Sequence, residues 1–139
     1  MSANRADRAD RADRAEELLI DTCGWIDFLR PGGGALADQV ERALADDLAW
    51  MCSVSQAELL QGVKGRNEQR QLELLFDNVT LIDVEPADWL SAGLALQLLR
   101  GKGFHIPLTD ALIAAVAIRR GLRVLTSDAH FAKLGVVLV

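Results

Sequence analysis

Short apolar runs alternate with stretches of helical period along most of the chain. "ELLID" carries the first run in Leu18, Leu19 and Ile20, and Trp25 to Leu29 begins a helical stretch behind it. In "ALADQVERALADD", Leu36, Val40 and Leu44 fall on one stripe, which predicts an amphipathic helix. "LAWMCSV" predicts a second strand, after which Ser55 stands as the cap of a helix through "QAELLQG", with Gly62 closing it. "NEQRQLELLF" predicts another helix and "VTLIDV" a third strand. Pro86 suits the first turn of a long helix, "PADWLSAGLALQLLRGK". Thr109 stands as the cap of "DALIAAVAIRRG", apolar almost all round and so a buried helix, ended by Gly121. "RVLTS" predicts a fourth strand, "DAHFAKL" a short helix and "VVLV" a terminal strand. Strands that alternate with helices pair in parallel and are covered on both faces. The expected fold is a three-layer α/β/α domain with a central parallel sheet.

With 139 residues, half of them hydrophobic and a quarter charged, the chain suits one globular domain with a single sizeable core. The longest apolar run, Ala111 to Ile118, is far short of the ~20 residues of a membrane span. The N-terminus is charged and lacks the apolar segment of a secretory signal. Cys23 and Cys52 have no disulfide-framework or metal-type spacing, so free thiols in a reducing cytoplasm are expected. The opening "NRADRADRADRAEE" places Asp7 before Arg11 and Asp10 before Arg14 at helical spacing, but only alanine lies between the charges. With no apolar face to dock, residues 1–16 are expected to be a frayed or disordered charged extension, ahead of a domain over 17–139. The net charge of −5 argues against a nucleic-acid binder that relies on bulk electrostatics. An enzyme that meets phosphates through bound cations and a local basic rim stays compatible with it.

Candidate chemistry comes from where the acids fall. Asp21 follows the first strand, Glu58 lies in the helix after the second, Asp110 stands just inside a helix start and Asp128 follows the fourth strand. In a parallel sheet all carboxyl ends open on one edge, so acids from four remote segments can meet in one cleft. Each also has a plainer account: helix dipole for Asp110, capping for Asp128 and Asp21, a solvent-facing position for Glu58. If they meet, their mutual repulsion raises and couples their pKa values unless a cation joins them. Oxygen ligands without a thiolate or imidazole cluster suit Mg²⁺ or Mn²⁺ rather than Zn²⁺. Such a centre can activate water and steady a phosphodiester under attack.

These segments resemble a known family. "LLIDTCGWIDFLR", "SVSQAELLQG" and "IPLTDALIAAVAIRRGLRVLTSDAHF" are similar to the successive motifs of PIN-domain ribonucleases, most of all the VapC toxins of toxin–antitoxin pairs, and the likeness runs from about Leu18 to the end. The resemblance implies a magnesium-dependent endoribonuclease with a PIN-like α/β/α fold. It also implies a homodimer, held inactive by a cognate antitoxin that inserts an arginine into the acidic cleft. On this likeness Asp21, Glu58, Asp110 and Asp128 match the family's acidic site, with Asp21 and Asp110 the firmest metal ligands. Thr126 and Ser127 match hydroxyl positions that hydrogen-bond those acids. Cys23 stands where a hydroxyl residue is usual.

His105 and His130, the only histidines, are not paired in sequence and read as structural or rim residues. Lys64, Arg66, Arg70, Arg100, Lys102, Arg119, Arg120 and Arg123 offer a phosphate-contacting rim, although the last three also complement a helix C-terminus. Trp25, Trp50 and Trp89 are expected in the core. The rival reading is a phosphoacceptor signalling module of flavodoxin-like layout. That module needs an acid pair after the first strand, where "LLIDT" has one acid.

Overall fold

The computed structural model describes residues 16–139, so the arginine–alanine–aspartate repeat lies outside the described residues. The elements run β1 (Leu18–Ile20), α1 (Thr22–Leu29), α2 (Ala37–Ala45), β2 (Ala49–Cys52), α3 (Ser53–Gln61), α4 (Arg66–Asn78), β3 (Thr80–Ile82), α5 (Pro86–Gly101), α6 (Leu108–Arg120) and β4 (Arg123–Leu125), followed by a 3₁₀ turn, Ala129–Lys133. The four strands pair in parallel in the order β3-β2-β1-β4. β1 is flanked by β2, where Leu18 faces Ala49, and by β4, where Leu18 faces Arg123.

Alternation along the strands divides the core in two. Leu19, Trp50, Cys52, Ile82 and Val124 point to one face, where Ala92 of α5 and the run Ala111–Ala117 of α6 cover them. Leu18, Ile20, Ala49, Met51 and Leu125 point to the other, against Trp25, Val40, Ala43, Leu59 and Leu72 of α1–α4. This is the predicted three-layer architecture. Each fully buried Leu, Ile or Val contributes about 1.5–3 kcal/mol, so a one-residue slip in register would cost the whole set. α1 lies close on β1 because of Gly24, where an added Cβ would meet Ile20 Cγ2 at 2.7 Å. Gly121 ends α6 at φ +66, the left-handed conformation that glycine adopts without strain.

Several local expectations are corrected. α1 begins at Thr22 rather than near Trp25, with Asp21 at its cap position. β2 runs into α3 without a loop, so the cap is Cys52, and Ser55 is a buried residue inside the helix. Pro107, whose ring presets φ, stands at the cap position of α6, and Thr109 falls in its first turn. "VVLV" contributes only a single bridge, Val124 with Leu138. Trp89 is 53% exposed, because α5 turns Asp88 and Ala92 inward instead.

The topology places the site. The chain moves from β1 to β2 and β3 on one side, then returns to β4 on the other, so the strand order reverses at β1. A crevice opens beyond the carboxyl ends at such a reversal. Asp21 leaves β1 there, its N–H still bonded to Leu125 O of β4 at 3.0 Å.

Candidate active site

Asp21 emerges into this crevice with its carboxylate almost buried. Thr126, just past β4, donates its hydroxyl to Asp21 Oδ2 at 2.9 Å, and Cys23 donates its thiol to the same oxygen at 3.2 Å. Burial pushes the Asp21 carboxyl up; the Thr126, Cys23 and Thr22 hydrogen bonds pull it back, and the charge of Asp128 adds to the rise.

Thr126 also ties in Asp128, whose N–H donates to Thr126 Oγ1 at 2.9 Å. Asp128 then caps the 3₁₀ turn, accepting from the His130 N–H at 2.9 Å. That turn brings the His130 ring back over the acids, with Nδ1 3.0 Å from Asp110 Oδ2 and 3.3 Å from Asp128 Oδ1. Asp110 enters from the first turn of α6. Its carboxyl is raised to about 6, first by burial and then by the charges of Asp128 and Asp21, against the hydrogen bond from His130.

Three of the four predicted acids, Asp21, Asp110 and Asp128, therefore share one electrostatic environment. Asp110, Asp128 and His130 bring one donor atom each to within 4.8 Å of one another. Glu58 joins only indirectly: its Oε1 accepts from Thr22 Oγ1 at 2.6 Å, and that hydroxyl lies 2.8 Å from buried Ser55 Oγ. Glu58 also lines a groove of about 580 Å³ between α1, α3 and α4, with Ile26, Leu29, Leu59, Val63 and Leu72.

Among the described residues, no lysine or arginine pairs with the three crowded acids. The carboxylates form a donor set that fits a divalent cation, and the imidazole beside them departs from the all-oxygen set expected from the sequence.

Sequence reasoning missed His130. It stands two residues from Asp128, and only the tight 3₁₀ turn folds its ring onto Asp110, a partner twenty residues away. It also missed the role of Arg119, expected at a rim but locked to Asp88 and Glu85. Arg120 likewise lies over the Trp50 ring, 4.9 Å from its centroid. Ser127 Oγ reaches Cys23 Sγ at 3.5 Å rather than an acid. Asp27, unassigned from the sequence, accepts from the Leu36 N–H at 3.0 Å and so holds the α1–α2 connection.

Comparison with known proteins matches the PIN domain family over residues 18–137. The VapC ribonuclease Mb1587 of Mycobacterium bovis is 34% identical over 118 residues, 82% of this chain and 88% of that protein. Among solved structures, the DNA-bound VapBC of Salmonella typhimurium superposes with TM-score 0.74 at 18% identity, over 88% of this chain and 95% of that one. Mycobacterium tuberculosis VapC20, a sarcin–ricin loop cleaving toxin, gives TM-score 0.69 at 20% identity, over 88% and 98%. At these identities the structural likeness is one of fold.

Proposed function

Because this chain belongs to the PIN-domain family as an endoribonuclease toxin of the VapC kind, we propose that Asp21, Asp110 and Asp128 form its catalytic centre, holding Mg²⁺ or Mn²⁺ at the carboxyl edge of the sheet. The observation that carries this reading is the gathering of these carboxylates at one edge with no lysine or arginine paired to them among the described residues; burial first, and then the charges of Asp128 and Asp21, raise Asp110 to about 6. Glu58, braced by Thr22, completes the acidic rim from the α3 side.

A divalent cation held by these carboxylates would supply positive charge beside an RNA phosphate and would make a water at the site more acidic. The protein's part is to hold its ligands still. Thr126 orients both Asp21 and the Asp128 backbone, Cys23 adds a weaker bond, and the α6 dipole favours the ionised form of Asp110. Water rather than the ribose 2′-hydroxyl is the nucleophile.

The groove beside Glu58 suits an apolar antitoxin segment whose chain end delivers an arginine to the acids, where a guanidinium can bind a carboxylate in two-pronged fashion. A homodimer would use an apolar row left exposed on α5: Trp89, Leu90, Leu94 and Leu98. Among the described residues no helix is long and apolar enough to cross a membrane. An RNA substrate and two free thiols suit a cytoplasmic location.

The test is incubation of the purified chain with total cellular RNA and Mg²⁺ or Mn²⁺, with and without chelator, followed by mapping of the cut ends. Cleavage that depends on the metal and leaves 5′-phosphate and 3′-hydroxyl ends is expected. Cyclic phosphate ends would contradict the mechanism.

A further inference from the structure

His130 faces the acids from a position that neither a core histidine nor a surface one would take. The ring is 44% exposed, so it does not fill the core, yet Nδ1 points inward at two carboxylates. The backbone fixes it there: its own N–H is bound to Asp128 Oδ1, and the next residue, Phe131, is fully buried and anchors the 3₁₀ turn in the α5–α6 core.

Without an ion, Nδ1 hydrogen-bonds Asp110 Oδ2, and the same spacing is compatible with shared coordination. Adjacent ligands of an octahedral ion with bonds of about 2.1 Å lie about 3.0 Å apart, the edge of the octahedron. His130 Nδ1 is 3.0 Å from Asp110 Oδ2 and 3.3 Å from Asp128 Oδ1. Both distances from Nδ1 match that edge, and the three donor atoms all lie within 4.8 Å of one another. Asp21, braced by Thr126, is outside this group of three but acts on Asp110 through its charge.

We propose that His130 is a direct ligand of the divalent cation, adding a nitrogen to an otherwise oxygen centre and turning its preference from Mg²⁺ toward Mn²⁺. This rests on the metal-dependent reading above and goes beyond it in naming the ligand and the preferred ion. Imidazole is a better donor to a transition ion than to Mg²⁺, which keeps oxygen and water ligands. Coordination uses the Nδ1 lone pair, so the bound tautomer carries its proton on Nε2.

Pulsed electron paramagnetic resonance of the Mn²⁺-loaded full chain tests this directly, because a bonded nitrogen leaves a hyperfine signature that oxygen ligands do not. The chain has only two histidines, and His105 is exposed between α5 and α6, so assignment is simple. The expected result is a nitrogen coupling in the wild type that survives His105→Gln and disappears in His130→Gln. Competition titrations should show Mn²⁺ affinity falling about tenfold or more in His130→Gln, Mg²⁺ affinity falling less, and the ratio of the two dropping accordingly. An oxygen-only spectrum for wild-type protein whose Mn²⁺ binding is lost in Asp110→Asn overturns the His130 ligand and leaves the acidic centre standing. A coupling that persists in His130→Gln overturns it equally. Failure of the wild type to bind either ion overturns the centre and this ligand together. The wild-type spectrum decides the matter even if His130→Gln proves unstable.

Discussion

Two nearly buried aspartates in this molecule meet opposite fates. Asp88, 2% exposed at the start of α5, is met by Arg119 from the end of α6, whose Nε lies 2.9 Å from Asp88 Oδ1 and whose second nitrogen lies 2.9 Å from Oδ2. Burial pushes Asp88 up, but the hydrogen bonds from Arg119 and from the Glu85 N–H, together with the guanidinium charge, hold its carboxyl below the usual value. Asp21, 4% exposed, receives only a hydroxyl, a thiol and a backbone N–H, with Asp128 close by, and its carboxyl stays raised. The fold supplies a counter-ion where a carboxylate ties helices together. At Asp21 it supplies neutral donors only. α6 serves both ends of this contrast, with Asp110 in its first turn and Arg119 in its last.

The contrast can be broken at either end. Asp110→Asn keeps shape and removes charge, so cleavage should fall on the order of 10³-fold or more while the fold persists, since charge stabilisation of this kind carries that weight. RNA cleavage alongside circular dichroism checks it, and an unchanged rate removes Asp110 from the centre. Arg119→Ala should do the reverse, costing about 3–5 kcal/mol of stability by leaving Asp88 buried and unpaired, with activity per folded molecule retained. Urea denaturation measures the loss.

Smaller effects sharpen the comparison. Thr126→Val removes the donor to Asp21 and the acceptor for the Asp128 N–H, and should weaken divalent-ion binding about tenfold in a calorimetric titration. The pH dependence of the two regions should differ in sign. Asp110 binds a proton more tightly folded than unfolded, so its contribution is fully present below about 4, the unfolded value, and is lost as pH rises through about 6. Asp88, lowered by its partners, contributes above the unfolded value and loses that contribution as pH falls. With chelator present, unfolding free energy should drop by about 1 kcal/mol from pH 5 to 7 in the wild type relative to Asp110→Asn, partial exposure weakening the full effect. Cys23→Ser exchanges a thiol donor for a hydroxyl at Asp21 and should change stability by no more than about 1 kcal/mol.

The sequence showed strands and helices clearly because their signal is local. The continuous apolar runs Leu18–Ile20 and Ala49–Cys52 become strands covered on both faces, and Ala111–Ala117 the buried helix on one of them. Caps were less legible. Ser55 and Thr109 carry the right chemistry, but β2 enters α3 without a loop and Pro107 starts α6 earlier. Asp21, Asp110 and Asp128 could be picked out because strand ends of a parallel sheet must open on one edge. Contacts set by tertiary geometry were not visible: Arg119 reaches Asp88 across 31 residues, and His130 reaches Asp110 across 20. Trp89 looked like core by residue type, yet the outward side of α5 holds it.

The most direct test of the central claim is a crystal structure of the full chain grown with Mn²⁺, read by its anomalous scattering. A manganese peak bounded by the carboxylates of Asp21, Asp110 and Asp128 is the predicted result. Fully occupied Mn²⁺ bound elsewhere, or those three side chains turned away from one another, would contradict it.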